Sequence, residues 1–225
     1  MLKLDFCSAK AARYAVMNWH YSQKMPIGRL VRIGVWEFER FVGVVLYGRG
    51  ASNNFHKRYN VKKEHVAELV RVALRSHKAP VSQIVAQSIR LLRSVSPGLR
   101  LLFSFADPAA GHHGGIYQAG NWVYSGESAA CWEYLINGKW THNREATFGA
   151  FGNRRALPSV DLKQVPRRKT LPKHRYLYPL DKGIRKQLVA LAKPYPKRQP
   201  EKRAAGDQPA EGGAGPTLAL QGVCR

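Results

Sequence analysis

Residues 103–122 read FSFADPAAGHHGGIYQAGNW, and the order of residue types in this stretch decides the fold. The apolar run 99–106 breaks off at Asp107-Pro108; an Ala-Gly step, two histidines and two glycines follow, and then an aromatic segment. That order predicts a buried strand, a sharp turn at its carboxyl end and a short helix finishing near Gly120. Ligand sites in open α/β sheets form at such strand ends. Asp107, His112, His113 and Tyr117 are four chemically capable side chains within eleven positions. A turn with an N-cap aspartate and surface histidines accounts for the same residues taken alone, so the weight falls on the rest of the chain.

Working outward, residues 82–95 form an amphipathic helical pattern stopped by Pro97-Gly98, and residues 65–74, with ELVRVAL at their centre, read as a strand. Strand, helix and strand in that order predict a right-handed parallel pair at the sheet centre. Residues 30–37 and 40–46 read as two strands joined by a tight turn near Glu39, which makes the sheet mixed. Residues 8–18 predict a helix with Ser8 as N-cap, and residues 48–60 a polar loop. Downstream, 122–124 and 134–136 read as strands, with Asn137-Gly138 as a hairpin turn before Lys139-Trp140. The expected class is α/β, an α+β arrangement around a mixed sheet, without internal repeats.

The charge is the second signal. Among 225 residues, 37 Lys and Arg stand against 14 Asp and Glu, a net +23 that favours a polyanionic partner: nucleic acid first, an anionic membrane surface second. Residues 1–153 hold 20 basic and 9 acidic residues and nearly all the periodicity, and form the expected core domain. Residues 154–203 hold 16 basic and 3 acidic residues among many prolines. They are expected to be a basic extension packing on the core and contacting DNA through Arg154, Arg155, Arg167, Arg168, Lys169, Lys173 and Arg175. Residues 204–225 are rich in Gly, Ala and Pro and are expected to be disordered. No run reaches the ~18 apolar residues of a membrane span, and the N-terminus lacks the apolar core of a signal peptide. Three cysteines without a CxxC pair argue against a disulfide framework or a cysteine zinc site. A cytoplasmic setting is expected, with Cys7 and Cys131 as buried thiols; the oligomeric state stays open, a homodimer included.

Three further patches carry chemistry. Trp19-His20-Tyr21-Ser22 follows the first helix, where His20 offers an acid/base or metal ligand and Tyr21 a phenol; aromatics folding onto the core explain the patch equally well. Glu68 and Arg71 are charges inside an apolar strand, costly unless paired or used. Their spacing of three places them on opposite faces of a regular strand, so Arg71 is a candidate to hold a phosphate or carboxylate, or to pair with a distant acid. The turn 75–83, RSHKAPVSQ, leads into the long helix, whose start offers N–H groups to an anion. Ser82 is expected at the cap, with Gln83 beside it, and capping alone explains that serine.

The element order resembles the acyltransferase fold of the GNAT superfamily, and GIYQAGNW resembles the tail of its later helix, where a tyrosine lies near the leaving thiol. A closer resemblance is carried by HYS…MP, RIGVW, GVVLYGRGA, ELVRVAL, SFADP, GHHGGIYQAGNW and KHRYLYPL, which together are similar to the phage Mom family of DNA adenine modification proteins. That resemblance covers residues 18–180 and implies a GNAT-like core that adds a carbamoylmethyl group to the exocyclic amine of adenine in phage DNA, protecting it from restriction inside the host cell. It implies His20, Tyr21, Arg71, Ser82, Asp107 and Tyr117 as active-site residues, Arg71, Ser82 and Gln83 toward the donor, and iron on His20, Tyr21 and Asp107. One departure stands out. The turn RSHKAPVSQ lacks the glycines with which GNAT enzymes cradle a CoA pyrophosphate, which argues against acetyl-CoA and leaves the acyl donor open. On this reading Asp107 or His20 serves as base, Tyr117 donates to the leaving group, and Trp19, Trp122 or Tyr124 stacks on a flipped adenine. Two other functions remain: an N-acetyltransferase acting on protein or small-molecule amines, and a DNA-binding protein without catalysis.

Overall fold

The computed structural model describes residues 1–50, 54–148 and 161–198. In chain order the elements are β1 (Leu2–Phe6), α1 (Ala9–Trp19), β2 (Leu30–Glu37), β3 (Arg40–Gly48), β4 (Val66–Leu74), α2 (Val81–Val95), β5 (Leu101–Ala106), α3 (Gly115–Gln118), β6 (Val123–Glu127), β7 (Trp132–Ile136), β8 (Lys139–His142), α4 (Asn143–Phe148), β9 (Arg167–Lys169), β10 (His174–Pro179) and α5 (Lys182–Val189). Local chemistry explains several of these bounds. Ser8 caps α1 by accepting the Ala11 N–H at 3.1 Å. The β2–β3 turn runs through Phe38 and Glu39, and the β7–β8 turn through Asn137 and Gly138, with positive φ at all four residues as such two-residue hairpins require.

Seven strands form one mixed sheet in the order β1-β2-β3-β4-β5-β10-β6, and a second sheet has the order β8-β7-β9. β4 and β5 are parallel, as the strand–helix–strand reading expects. On one face α2 buries Ile84, Val85, Ile89 and Leu92 against Ile33, Val35, Val45 and Leu102. On the other face α1 covers Val44, Leu46 and Ala73, while α5 covers Leu101, Phe103 and Leu177 with Ile184 and Leu188. Both faces are sealed, which suits the near-continuous apolar runs of β4 and β5.

Three strands went unread in the sequence: β9 at the edge of the small sheet, and β1 and β10 in the large one. β1 pairs antiparallel with β2 at the sheet edge. β10, expected as part of a basic extension, lies inside the main sheet between β5 and β6, with Tyr176 and Leu177 fully buried. Removal of everything beyond residue 152 would therefore take out a core strand, not only cations. The expected boundary at 153, Arg154, Arg155, Cys224 and the 204–225 tail lie outside the described residues. Cys7 is half-buried and Cys131 exposed, against the expectation of two buried thiols, because Cys131 precedes β7 on the rim of a cleft instead of within a strand. Among the described residues no helix is long and apolar enough to cross a membrane.

Candidate active site

The cleft arises from a mismatch of register. β4 and β5 pair only through Val66↔Leu101, Ala67↔Leu102 and Glu68↔Phe103, although both strands continue beyond that point. On the β3 side of β4, Tyr47 faces Leu69 and Leu46 faces Arg71, so Val70 is an extra, bulged residue. The bulge turns β4 away while β5 runs on to Asp107, and a cavity of about 1270 Å³ opens between them. It also corrects the face assignment: with Val70 extruded, Glu68 and Arg71 fall on the same face of β4, and both line the cavity.

His20, Tyr21, Arg71, Asp107 and Tyr117, five of the six expected site residues, meet around this cavity, and His112 and His113 join them. Arg71 donates from Nη1 to the Val70 carbonyl at 2.7 Å, while its Nε is buried and has no hydrogen-bond partner among the described residues. Buried donors are nearly always satisfied, so this one is a seat for an acceptor. The His20 ring stacks at 4.4 Å on Tyr21, which meets His112 edge-on at 4.8 Å. Burial, then Arg71 and His112, hold the His20 pKa down at about 4, so the imidazole is neutral at physiological pH. The Ser22 backbone N–H donates to His20 Nδ1 at 3.1 Å, and Ser22 Oγ lies 2.8 Å from the same nitrogen. An N–H cannot accept, so Nδ1 is the bare nitrogen and the proton sits on Nε2. Neutral His20 is thus an Nε2–H donor.

Tyr117 is buried, and burial pushes its pKa up to about 12. Its oxygen is 2.7 Å from Ser104 Oγ. Gly114, at φ 88°, lets the backbone pack directly on the Tyr176 ring, whose hydroxyl donates to the His113 carbonyl at 2.6 Å and fixes the turn. The Asp107 carboxylate is doubly engaged, accepting the Ala109 N–H at 3.1 Å and pairing with Lys173 Nζ at 2.7 Å.

The sixth residue stands apart. Pro80, not Ser82, is the N-cap of α2, and neither Ser82 nor Gln83 lines the cavity, although Val81 does. The Glu37 carboxylate, at the end of β2, accepts the Lys78 and Ala79 N–H groups at 2.7 and 2.6 Å, and those bonds lower its pKa. The turn before α2 already holds an anion from within the chain. His20, Tyr21 and Asp107 all line the cavity and offer the nitrogen and oxygen donors that suit iron, with the Asp107 carboxylate shared with Lys173. Among the described residues no group of three or more His, Cys, Asp or Glu is placed to hold a metal.

The expected stacking residues divide. Trp122 and Tyr124 are core residues at 1% and 8% exposure and cannot receive a base, whereas Trp19 lines the cavity. Its aromatic wall is instead Phe55, stacked on Phe103 at 3.7 Å, with Phe105 edge-on. The cationic candidates divide too. β9 carries Arg167, Arg168 and Lys169, all exposed: Arg167 lies over Trp132 at 4.6 Å and Arg168 over Trp140 at 4.2 Å. Arg175 is buried, donating to Ser125 Oγ and the Glu127 carbonyl, and is withdrawn from any phosphate because β10 points it into the fold. Ser104, Glu37 and Phe55 were missed, and Ser22 stood in a patch already singled out but without a role. A serine in the apolar run FSFA was the available clue for Ser104; nothing local marks Glu37 or Phe55.

These features define a mixed α+β protein with a polar cleft where its central parallel strands part, and a cationic sheet at the rim. The model of the Mom protein family matches residues 1–197, and the chain belongs to that family. It is 27% identical over 206 residues to the methylcarbamoylase mom of Escherichia phage Mu, covering 87% of this chain and 84% of that one. Among solved structures, a Bacillus subtilis acetyltransferase in complex with CoA aligns with a TM-score of 0.46 and 11% identity, over 80% of this chain and 98% of that chain.

Proposed function

We propose that this protein is a transferase that adds a carbamoylmethyl group to the exocyclic amine of adenine in DNA, acting in the cytoplasm of a phage-infected bacterium. The observation that carries this reading is Arg71, a half-buried cation whose Nε is itself buried and unsatisfied among the described residues, at the bulge where β4 and β5 part. The family and the net +23 supply the nucleic-acid context.

In the transfer, one N–H bond of the amine gives way to a bond from nitrogen to the methylene carbon, a base takes the proton, and the donor's leaving group departs with the bonding pair. The carbamoylmethyl group carries a carbonyl oxygen, and Arg71 with the His20 Nε2–H supplies N–H donors for it. Between His20 and Asp107 as base, the hydrogen-bond polarity favours Asp107, because the His20 ring has no bare nitrogen to turn to the cleft. Adenine must leave the duplex to enter, and Phe55 and Tyr21 offer it aromatic faces. β9 and Lys173 contact the phosphates. The donor is not held by a phosphate at the Lys78–Ala79 turn, since Glu37 takes those N–H groups, and CoA is disfavoured.

The test is the nucleoside mass spectrum of DNA from cells expressing the chain. A modified adenosine heavier by one carbamoylmethyl group is expected in the wild type and not in Asp107→Ala, whose fold and DNA affinity persist. Unmodified adenine with acetylated protein or small-molecule amines would favour the acetyltransferase reading, and no modification of any kind the DNA-binding one.

A further inference from the structure

Ser104 is almost fully buried, at 1% exposure, and its hydroxyl owns one proton. The Leu69 carbonyl lies 2.7 Å from Ser104 Oγ and can only accept, so the serine's proton is on that bond. The Tyr117 oxygen is also 2.7 Å from Oγ, and with the serine's proton used the phenol must donate. The resulting chain runs from Tyr117 O–H to Ser104 O–H to the Leu69 carbonyl. It bridges β5 to β4 one residue past their last paired position, Glu68↔Phe103, and next to bulged Val70. Tyr117 lines the cleft, but its proton is already given away; what it has left to offer there is lone pairs.

We infer that Ser104 is a positioning residue for the transfer reaction: by taking the Tyr117 proton it fixes that phenol as a hydrogen-bond acceptor for the N–H of the incoming amine. The inference rests on the transfer reading above and replaces the expectation that Tyr117 donates to the leaving group. It gives the cleft a definite polarity. Donors on Arg71 and His20 face the group being transferred, and an acceptor on Tyr117 faces the amine that receives it.

The test is a double-mutant cycle of Ser104→Ala and Tyr117→Phe, with kcat and KM for DNA modification measured on folded protein, together with ultraviolet Raman spectra of the tyrosine doublet. Ser104→Ala should lower kcat on the order of 10- to 100-fold with KM for DNA unchanged, should cost nothing further in the Tyr117→Phe background, and should be largely rescued by Ser104→Thr. An equal loss in both backgrounds would make Ser104 only a strap across the strands, and wild-type activity in Ser104→Ala would remove it altogether. The Tyr117 doublet, isolated by subtracting the Tyr117→Phe spectrum, should be of the hydrogen-donor type in wild type and lose that character in Ser104→Ala. A non-donor doublet in wild type overturns the inference whatever the activity, whereas a donor doublet on a chain that modifies no adenine overturns the transfer reading instead.

Discussion

Arg71 and Arg168 line the same cleft from different sheets, in opposite circumstances. Arg71 projects, half-buried, from the centre of a sealed seven-stranded sheet and donates to the carbonyl of the residue before it. Arg168 stands on an edge strand of the small sheet, 54% exposed in its side chain, with Glu133 at 3.0 Å and the Trp140 ring beneath it. A cation withdrawn from water is costly and keeps its place only when a ligand or partner recovers the cost. An exposed cation on an indole is cheap, and acts at a distance on any phosphate. On the proposed function the two arginines divide the labour: the large sheet would hold the reacting groups, and the small sheet the polyanion.

Changes at four places would break or sharpen that division, in order of expected effect. Arg71→Ala should reduce modification by at least about 100-fold and leave DNA affinity within about twofold; a parallel loss of affinity would put Arg71 among the phosphate contacts. His20→Ala should cost nearly as much, whereas His20→Gln, which keeps an N–H donor, should retain part of the rate. If His20 were the base, both variants would be equally inactive. The pH profile gives the sign independently. With its folded pKa lowered to about 4, His20 stays neutral as pH falls through 6, and only near pH 4 does a proton arrive on Nδ1 and break the bond from the Ser22 N–H that orients the ring. A rate lost with an ordinary histidine midpoint would contradict the assignment.

Neutralising Arg167, Arg168 and Lys169 together to Gln should weaken DNA binding and flatten the log-log salt slope by up to about 2.7, with kcat at saturating DNA unchanged. A fall in kcat would bring the small sheet into the chemistry. Glu37→Gln is the mildest. Bonds from Lys78 and Ala79 lower the Glu37 pKa, so its stabilising effect is present at pH 7 and is lost as pH falls through that depressed value. The variant should melt below wild type at pH 7 and approach it in acid, and CoA should not raise the melting temperature of the wild type.

The same contrast explains what was legible in the sequence. Ser8, Asn137-Gly138 and the periodicity of α2 act through neighbours a few positions away, and the structure follows them. The bulge at Val70 is a property of pairing between β3 and β4, so Glu68 and Arg71 looked opposed until the register was known. β10 hid in a basic stretch because the charges around Tyr176 and Leu177 outweighed their alternation. The site was read where it lies along the chain, at 19–22, 71 and 107–117. It was missed where a distant group completes it, as Glu37 does at the α2 turn and Ser104 does across the splayed strands.

The most direct measurement is photocrosslinking of DNA carrying an azido-adenine, followed by peptide mapping. If transfer occurs where β4 and β5 part, the adenine should be recovered on residues 19–21, 55 or 103–117, and β9 should be labelled only when the photoreactive group is moved to the sugar-phosphate backbone. Adenine crosslinked to β9 alone, with the cleft unlabelled, would contradict the account.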